Sequence, residues 1–460
     1  MVEERHELCV IGAGTAGFAA AEAARERGRD VLLIAGEDEL GGTCILRGCM
    51  PAKAVLAAAQ YEGEVAKAHD VGVRTSTVHV DLPALIRRKR ALVDYFAEDR
   101  ASELAQYPLL RGDARFVAPD AVVAGGRHIV AERFVVATGA ATVMPGVPGL
   151  AGAPTITSND VLEMTRAPDA IAIVGGGPIG CAFAQFFARI GSRVTLFQDT
   201  PELLRAEDPD VGTAIRAVLQ NDGVDVVLDA DLREVRRDGE ATVLLADTPA
   251  GAHGARADVV LVATNRRPRI DGLDLGAAGV EADAARGIVV DEHLRSVSNP
   301  RVFAAGDVVG RRHLVHVALH AGALAARNAF ADEPVAMDWA RWQSHALYTQ
   351  PQVAVTGLTE RECRTLGIDV EVAVLPAAEV GKALVSEQAD GFVKMLARRG
   401  DGRVAGVTLV LDDAIDLAGE AIALIDRGAT VREVAEMPHL HPTMSELLAR
   451  LAERLCARIR

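Results

Sequence analysis

The stretch GGTCILRGCMPAK, residues 41–53, sets Cys44 and Cys49 five positions apart in a chain that has six cysteines. Two thiols this close can be a redox pair, half of a metal site, or ordinary core packing. A structural zinc site usually takes two close pairs of ligands, and the sequence holds no second cysteine pair. Both thiols stand beside glycines rather than on an apolar stripe, which makes packing the weaker account. On a regular helix, residues i and i+5 lie roughly 8–9 Å apart, outside the span of about 4.4–6.8 Å that a disulfide tolerates. A bridge here must therefore distort the helix. Gly48 is expected to supply the backbone freedom, and Pro51 suits the first turn of a helix through PAKAVLAAAQ. Cys49 then falls at a helix N-terminus, where the dipole favours thiolate over thiol. The pair reads as a catalytic disulfide.

An exchanging dithiol needs a proton acceptor near neutral pH, and histidine titrates there. HLHPTMSE offers His439 and His441. Glu446 could orient an imidazole, but Thr443 and Glu446 also have the spacing of a helix capping box. One rotamer is not expected to do both.

Elements that could position these groups follow the order strand, glycine turn, helix. ELCVIGAGTAGFAAAEAARERG carries Gly12, Gly14 and Gly17, and AIAIVGGGPIGCAFAQFFARIGSRVTLF carries Gly175, Gly177 and Gly180. In such a loop the first glycine makes the turn, the second admits a pyrophosphate, and the third lets helix and strand approach. Each unit returns to a strand with a related ending, RFVVATGA and DVVLVATNRRP, as an internal duplication would. NPRVFAAGDVVG then delivers Asp307 at a strand end, where ligands are commonly met. From about Asp338 the pattern becomes antiparallel strands separated by polar turns, closing in an amphipathic helix.

Composition sets the frame. A chain of 460 residues, half of them apolar, exceeds what one core usually serves. The net charge of -15 opposes nucleic-acid binding. RRKR at 87–90 reads as the solvated side of a helix. MVEERHELCVIG lacks the basic head and apolar run of a secretory leader, no apolar run reaches eighteen residues, and the other cysteines are scattered. A cytoplasmic protein with reduced thiols is expected, with no metal site.

Taken in order, the first glycine loop, GGTCILRGCMPAK, VVATGA, the second glycine loop, VFAAGDVV and HLHPTMSE resemble the flavoprotein pyridine nucleotide–disulfide oxidoreductases over essentially the whole chain, and dihydrolipoamide dehydrogenase most of all. The resemblance implies an α/β protein with two nested Rossmann-like domains and a C-terminal α+β dimerisation domain. It divides the chain into a FAD-binding domain at 1–150 and 269–337, an NAD(P)-binding domain at 151–268 and an interface domain at 338–460. It implies FAD held by Gly12, Gly14, Gly17, Thr43, Lys53, Ala114, Thr138, Gly139, Asp307 and Ala318, and a nicotinamide dinucleotide held by Gly175, Gly177, Gly180, Gln198 and Asn265. It further implies that Cys49 lies against the flavin, that Cys44 exchanges with substrate, and that His441, oriented by Glu446, reaches Cys44 from the partner subunit of a homodimer. Lipoyl groups, free or on a carrier protein, are the leading substrate. Another small or protein disulfide is the alternative, as is a flavin redox sensor with a decayed nicotinamide site. Mercuric reductase is disfavoured because its C-terminal vicinal cysteines are absent, leaving Cys456.

Four departures bear on cofactors. Ala35 stands where the family carries an acid for the adenosine ribose, and Glu37 is expected to substitute. Ala182 replaces the glutamate that pairs with the family's lysine, which would leave Lys53 without its usual counter-ion, alter the flavin potential and slow hydride transfer. Gln198 and Asp199 leave the coenzyme open with a lean toward NAD over NADP, although Arg205 could attract a 2′-phosphate. Asn265 replaces a turn glycine and is expected to tolerate positive φ there. Pro178 opens the second loop's helix.

Overall fold

Residues 3–36, 40–76 and 78–459 are described by a computed structural model. The chain divides into two units: residues 1–54, 86–143 and 265–342 form one, and 55–85, 144–264 and 343–460 the other.

The first unit is built on a seven-stranded sheet. Its parallel part runs Leu109–Arg111, Val31–Ala35, Glu3–Ile11 and Arg127–Val136, with Val302–Ala304 pairing on the far side of Arg127–Val136. The strands read as nearly unbroken apolar runs because both sheet faces are buried. Register fixes what they deliver. Ile11 lies opposite Ile34 and Val136, and Val136 opposite Ala304. Gly12, the Thr138–Gly139 turn and Asp307 therefore emerge at one edge of the sheet.

Helix α1 (Thr15–Arg25) packs along the Val315–Asn328 helix through small residues, Ala16, Ala20 and Ala24 against Ala318, Ala321 and Ala325. The approach is so close that a Cβ on Gly322 would stand 2.1 Å from the Ala16 carbonyl oxygen. Dispersion between backbones, rather than large side chains, holds this pair.

In the second unit, a parallel sheet orders Asp225–Val227, Arg193–Phe197, Ala170–Val174, Val259–Val262 and Thr155–Ile156. Val174 pairs with both Phe197 and Val262, so Gly175, Gln198 and Ala263 again share one edge. The duplication read from sequence is thus a duplication of strand ends. The same unit holds the five-stranded antiparallel sheet His345–Leu347, Gln352–Gly357, Val404–Leu411, Phe392–Arg398 and Val370–Pro376. Helices Ala414–Asp426 and Glu446–Cys456 cover it over a core that includes Val393, Leu409, Leu448 and Leu451. The mixed α/β architecture agrees with the reading from sequence.

One detail corrects that reading. Arg87, Arg88 and Arg90 are exposed, but Lys89 is buried, so the RRKR run is not wholly a solvated face.

Replacing Gly322 with alanine should cost about 2 kcal/mol net, the overpacking outweighing the roughly 1 kcal/mol gained in helix propensity. Urea denaturation should show the loss. An unchanged midpoint would mean the two helices can separate at little cost.

Candidate active site

Chain geometry around the cysteine pair begins with a broken helix. The short helix α2 (Gly42–Leu46) ends at Arg47, whose φ of -153° leaves the helical region, and helix α3 (Cys49–Lys67) restarts at Cys49. The two cysteines therefore do not share one regular helix. Gly48 makes the break possible by a different route from the expected one. It has no left-handed φ; instead, a Cβ there would stand 2.8 Å from the Thr43 carbonyl oxygen. Pro51 lies in the first turn of α3, as expected.

Cys44 and Cys49 are free thiols in hydrogen-bond contact, and they titrate as a pair. The Cys44 S–H donates to the Cys49 sulfur, which pulls Cys49 down to about 6 while Cys44 is pushed up. Burial opposes ionisation of Cys49, the Lys53 ammonium favours it, and the Asp307 carboxylate opposes it. Lys53 is four residues beyond Cys49 on α3, a spacing that puts both on one helix face. Burial lowers the Lys53 pKa, and attraction to Cys49 and Cys44 raises it. The lowered pKa is what a lysine without its usual counter-ion is expected to show, and the dithiol is the negative group that faces it.

Sequence reasoning passed over Arg266. Its guanidinium is lowered in pKa by burial and feels Asp307, Arg269 and Cys49, and it donates to the Ala140 carbonyl at 2.6 Å. Its place just after the DVVLVAT strand was the available signal.

The first glycine loop presents backbone rather than side chains. Gly12 has φ +112°, and a Cβ there would stand 2.4 Å from the Ala137 oxygen. Gly14 caps α1 without a side-chain hydrogen bond, which leaves that helix end to an anion. A Cβ on Gly42 would come within 2.5 Å of Gly14, so the loop and α2 touch backbone to backbone. Gly17 lies over the Gly12 carbonyl with no room for a Cβ. Beside Gly139 there is open space, whereas the Thr138 hydroxyl donates to the Arg269 carbonyl at 2.6 Å. Ala318 approaches Gly306, next to Asp307, and Ala114 is buried in the cluster that holds Ile11 and Val136. Thr43 accepts the Arg47 N–H within α2. Ala35 is buried at its strand end. Glu37 lies outside the described residues.

In the second loop, Gly175 repeats the φ of +112°, Gly180 packs on the Gly175 carbonyl, and Gly177 caps the Pro178–Arg189 helix without a side chain. Pro178 takes the helix's first position, which it suits. Asn265 is absent from the residues with positive φ, so the glycine it replaces is not required by backbone conformation. Gln198 is buried: its Oε1 accepts the Gly176 N–H at 2.6 Å, and its Nε2 donates to Asp199 and Thr200. Asp199 and Arg205 are exposed.

His439 and His441 separate clearly. The His439 ring is buried between Glu420 at 2.8 Å and the Met437 carbonyl at 3.0 Å. The His441 ring is 79% exposed, with Nδ1 3.1 Å from Glu446 Oε1. That same oxygen accepts the Thr443 N–H at 2.9 Å. One rotamer of Glu446 therefore serves helix end and imidazole together, contrary to expectation. The Thr443 N–H, the leading favourable contact, and His441 hold Glu446 below the usual carboxylate range. With Nδ1–H donating to a carboxylate, Nε2 is left as the proton acceptor.

The profile described as "Pyridine nucleotide-disulphide oxidoreductase" matches residues 6–322, and that of the family's dimerisation domain matches 344–452. A mercuric reductase of Streptomyces lividans is 35% identical over 97% of this chain and 96% of its own. A dihydrolipoyl dehydrogenase of Bacillus subtilis is 33% identical over 96% of each chain. The Cu(II) complex of the HOCl-induced flavoprotein disulfide reductase RclA from Escherichia coli superposes with a TM-score of 0.86 at 26% identity, covering 98% of this chain and 100% of that one. The chain belongs to the pyridine nucleotide-disulphide oxidoreductases, FAD-dependent enzymes that use NAD(P)H.

In the dithiol-reduced protein, thiolate absorbance near 240 nm should report Cys49 titrating at about 6. Both Cys44→Ala and Lys53→Gln should raise that midpoint by roughly one unit or more, Cys44→Ala the further. A midpoint unmoved by either change would refute the arrangement.

Proposed function

We propose that this oxidoreductase moves two electrons between NAD(H) and an external dithiol or disulfide, with dihydrolipoyl groups as the substrate. The observation that carries this reading is the His441–Glu446 pair, an exposed imidazole oriented by a half-buried carboxylate, because a dithiol substrate must lose protons to react. Bound FAD supplies the two-electron relay between the cysteine pair and the nicotinamide. The first loop's uncapped helix end, the open space at Gly139 and the strand-end position of Asp307 fit an anionic dinucleotide held by Gly12, Gly14, Gly17, Thr43, Lys53, Ala114, Gly139, Asp307 and Ala318. Thr138 contributes through its backbone, its hydroxyl being engaged by Arg269.

In this reading, a substrate thiolate attacks the Cys44 sulfur of the oxidised pair and Cys49 leaves as thiolate. The first thiol's proton goes to solvent; His441 Nε2 takes the proton of the second substrate thiol, whose sulfur attacks the substrate sulfur of the mixed disulfide, and then returns that proton to the departing Cys44 sulfur. Lys53 and the Cys44 S–H then hold the Cys49 thiolate. The sum is dithiol plus NAD⁺ giving disulfide, NADH and H⁺.

Gly175, Gly177 and Gly180 hold the nicotinamide coenzyme in this proposal. Asp199, exposed and fixed by Gln198, favours NAD by repelling a 2′-phosphate. Gln198 supports the loop through its contact with the Gly176 N–H. The domain boundaries given by the family resemblance, a cytoplasmic setting, and a homodimer in which His441 serves the other subunit's Cys44 belong to the same proposal. Among the described residues no helix is long and apolar enough to cross a membrane.

The relatives named for mercury and copper raise a soft metal ion as a second acceptor. Such an ion would meet the same Cys44–Cys49 pair, and it is the His441–Glu446 base that favours the dithiol. The sensor alternative loses two of its motives, since Pro178 and Asn265 fit their places without strain.

Anaerobic mixing with dihydrolipoamide should reduce the flavin, and NAD⁺ should then be turned over. His441→Gln should lower that rate about 10²-fold or more, while NADH still reduces the flavin. Failure of dihydrolipoamide, beside rapid reduction of another disulfide or of Hg²⁺, would sink the lipoyl assignment. Ala182→Glu should speed flavin reduction by NADH in stopped flow; an unchanged rate would show that Ala182 is neutral.

A further inference from the structure

We propose that Glu207 and His345 together position the second glycine loop for the nicotinamide coenzyme, an inference that rests on the assignment of Gly175, Gly177 and Gly180 to that coenzyme. Neither residue touches the loop directly; they act through the turn between them. The Leu204 N–H donates to the Gly176 carbonyl at 2.9 Å, and a Cβ on Gly176 would stand 2.5 Å from a Leu203 methyl. On the other side, the Gly176 N–H is taken by Gln198. The middle of the loop is thus gripped at both backbone groups by the segment 198–204. Leu204 has a φ of 53°, a left-handed conformation that a non-glycine residue keeps only when its surroundings impose it.

Those surroundings come from the antiparallel sheet. The Glu207 N–H closes the turn on the Leu204 carbonyl at 2.7 Å. Its carboxylate is buried, with Oε1 2.7 Å from His345 Nε2, while Oε2 has no hydrogen-bond partner. His345 lies on the edge strand paired with Val355, and its Nδ1 stands 3.0 Å from the Gln343 carbonyl. A carbonyl only accepts, so Nδ1 carries a hydrogen. A second proton must then sit between Nε2 and Glu207 for the short contact to attract. The neighbouring ties reinforce the turn's backbone: Arg361 donates to the carbonyls of Arg205 and Glu207, and Asp208 accepts from Lys394 at 2.8 Å and from the N–H groups of Glu360 and Arg361. Lys394 also binds Asp210 and Glu360. Within this set, Glu207 is the residue whose own N–H closes the turn, and His345 is the hydrogen-bond partner of its side chain. Removing His345 leaves a buried carboxylate unsatisfied, which drives the turn toward water and loosens its grip on Gly176.

Calorimetric titration of the oxidised holoenzyme with ADP-ribose, which carries no reducible ring, tests this directly. His345→Leu and Glu207→Ala should each weaken ADP-ribose binding about fivefold or more. Glu207→Gln should stay within about twofold of the parent, because an amide N–H can donate to the neutral ring and keep the contact. Parent-like affinity in both His345→Leu and Glu207→Ala overturns the proposal; if His345→Leu does not fold, Glu207→Ala alone decides. Equal loss in all three variants also overturns it, since packing rather than the contact would be responsible. If the parent itself fails to bind ADP-ribose, the assignment of the second loop falls and takes this inference with it.

Discussion

A sulfur anion held beside a carboxylate, in a half-buried place, is the constraint around which the first unit is organised. Cys49 is held at about 6 against both burial and Asp307. The compensation comes from the Cys44 S–H, from Lys53 one turn along α3, and from the start of that helix at Cys49 itself. The Cys44 contact and the helix start at Cys49 depend on the break at Arg47 and Gly48, because an unbroken helix would move Cys44 out of reach. The break in turn needs the bare Cα of Gly48 over the Thr43 carbonyl, and α2 is held in place by Gly42 against Gly14. A chain of backbone contacts therefore joins the nucleotide loop to the reactive sulfur.

Much of this was legible because it is local or periodic. Glycine turns between strand and helix, apolar strands ending at functional residues, and the antiparallel pattern after Asp338 all declare themselves in short windows. The unread part depends on groups distant in sequence. Gly48 looked like a residue needed for its φ and proved to be needed for clearance, which the Thr43 carbonyl decides. Gln198 is named by the resemblance among the coenzyme residues, and nothing in its local sequence shows that its amide also accepts the Gly176 N–H. Glu446 posed a choice between two roles in one dimension; in three, one oxygen reaches both Thr443 and His441. His345 carries no sequence signal at all, since Glu207 lies 138 positions away.

The surroundings of Lys53 carry a further consequence for the dithiol. Burial works against the ammonium, and the cysteine pair works for it. Those two influences do not vary together: burial is fixed by the fold, whereas the negative charge on Cys49 exists only when the pair is reduced. Closing the disulfide removes that charge and with it one of the attractions that keep Lys53 protonated. The proton on Lys53 and the electrons on the dithiol are therefore linked, because the reduced pair supplies an attraction that the oxidised pair cannot.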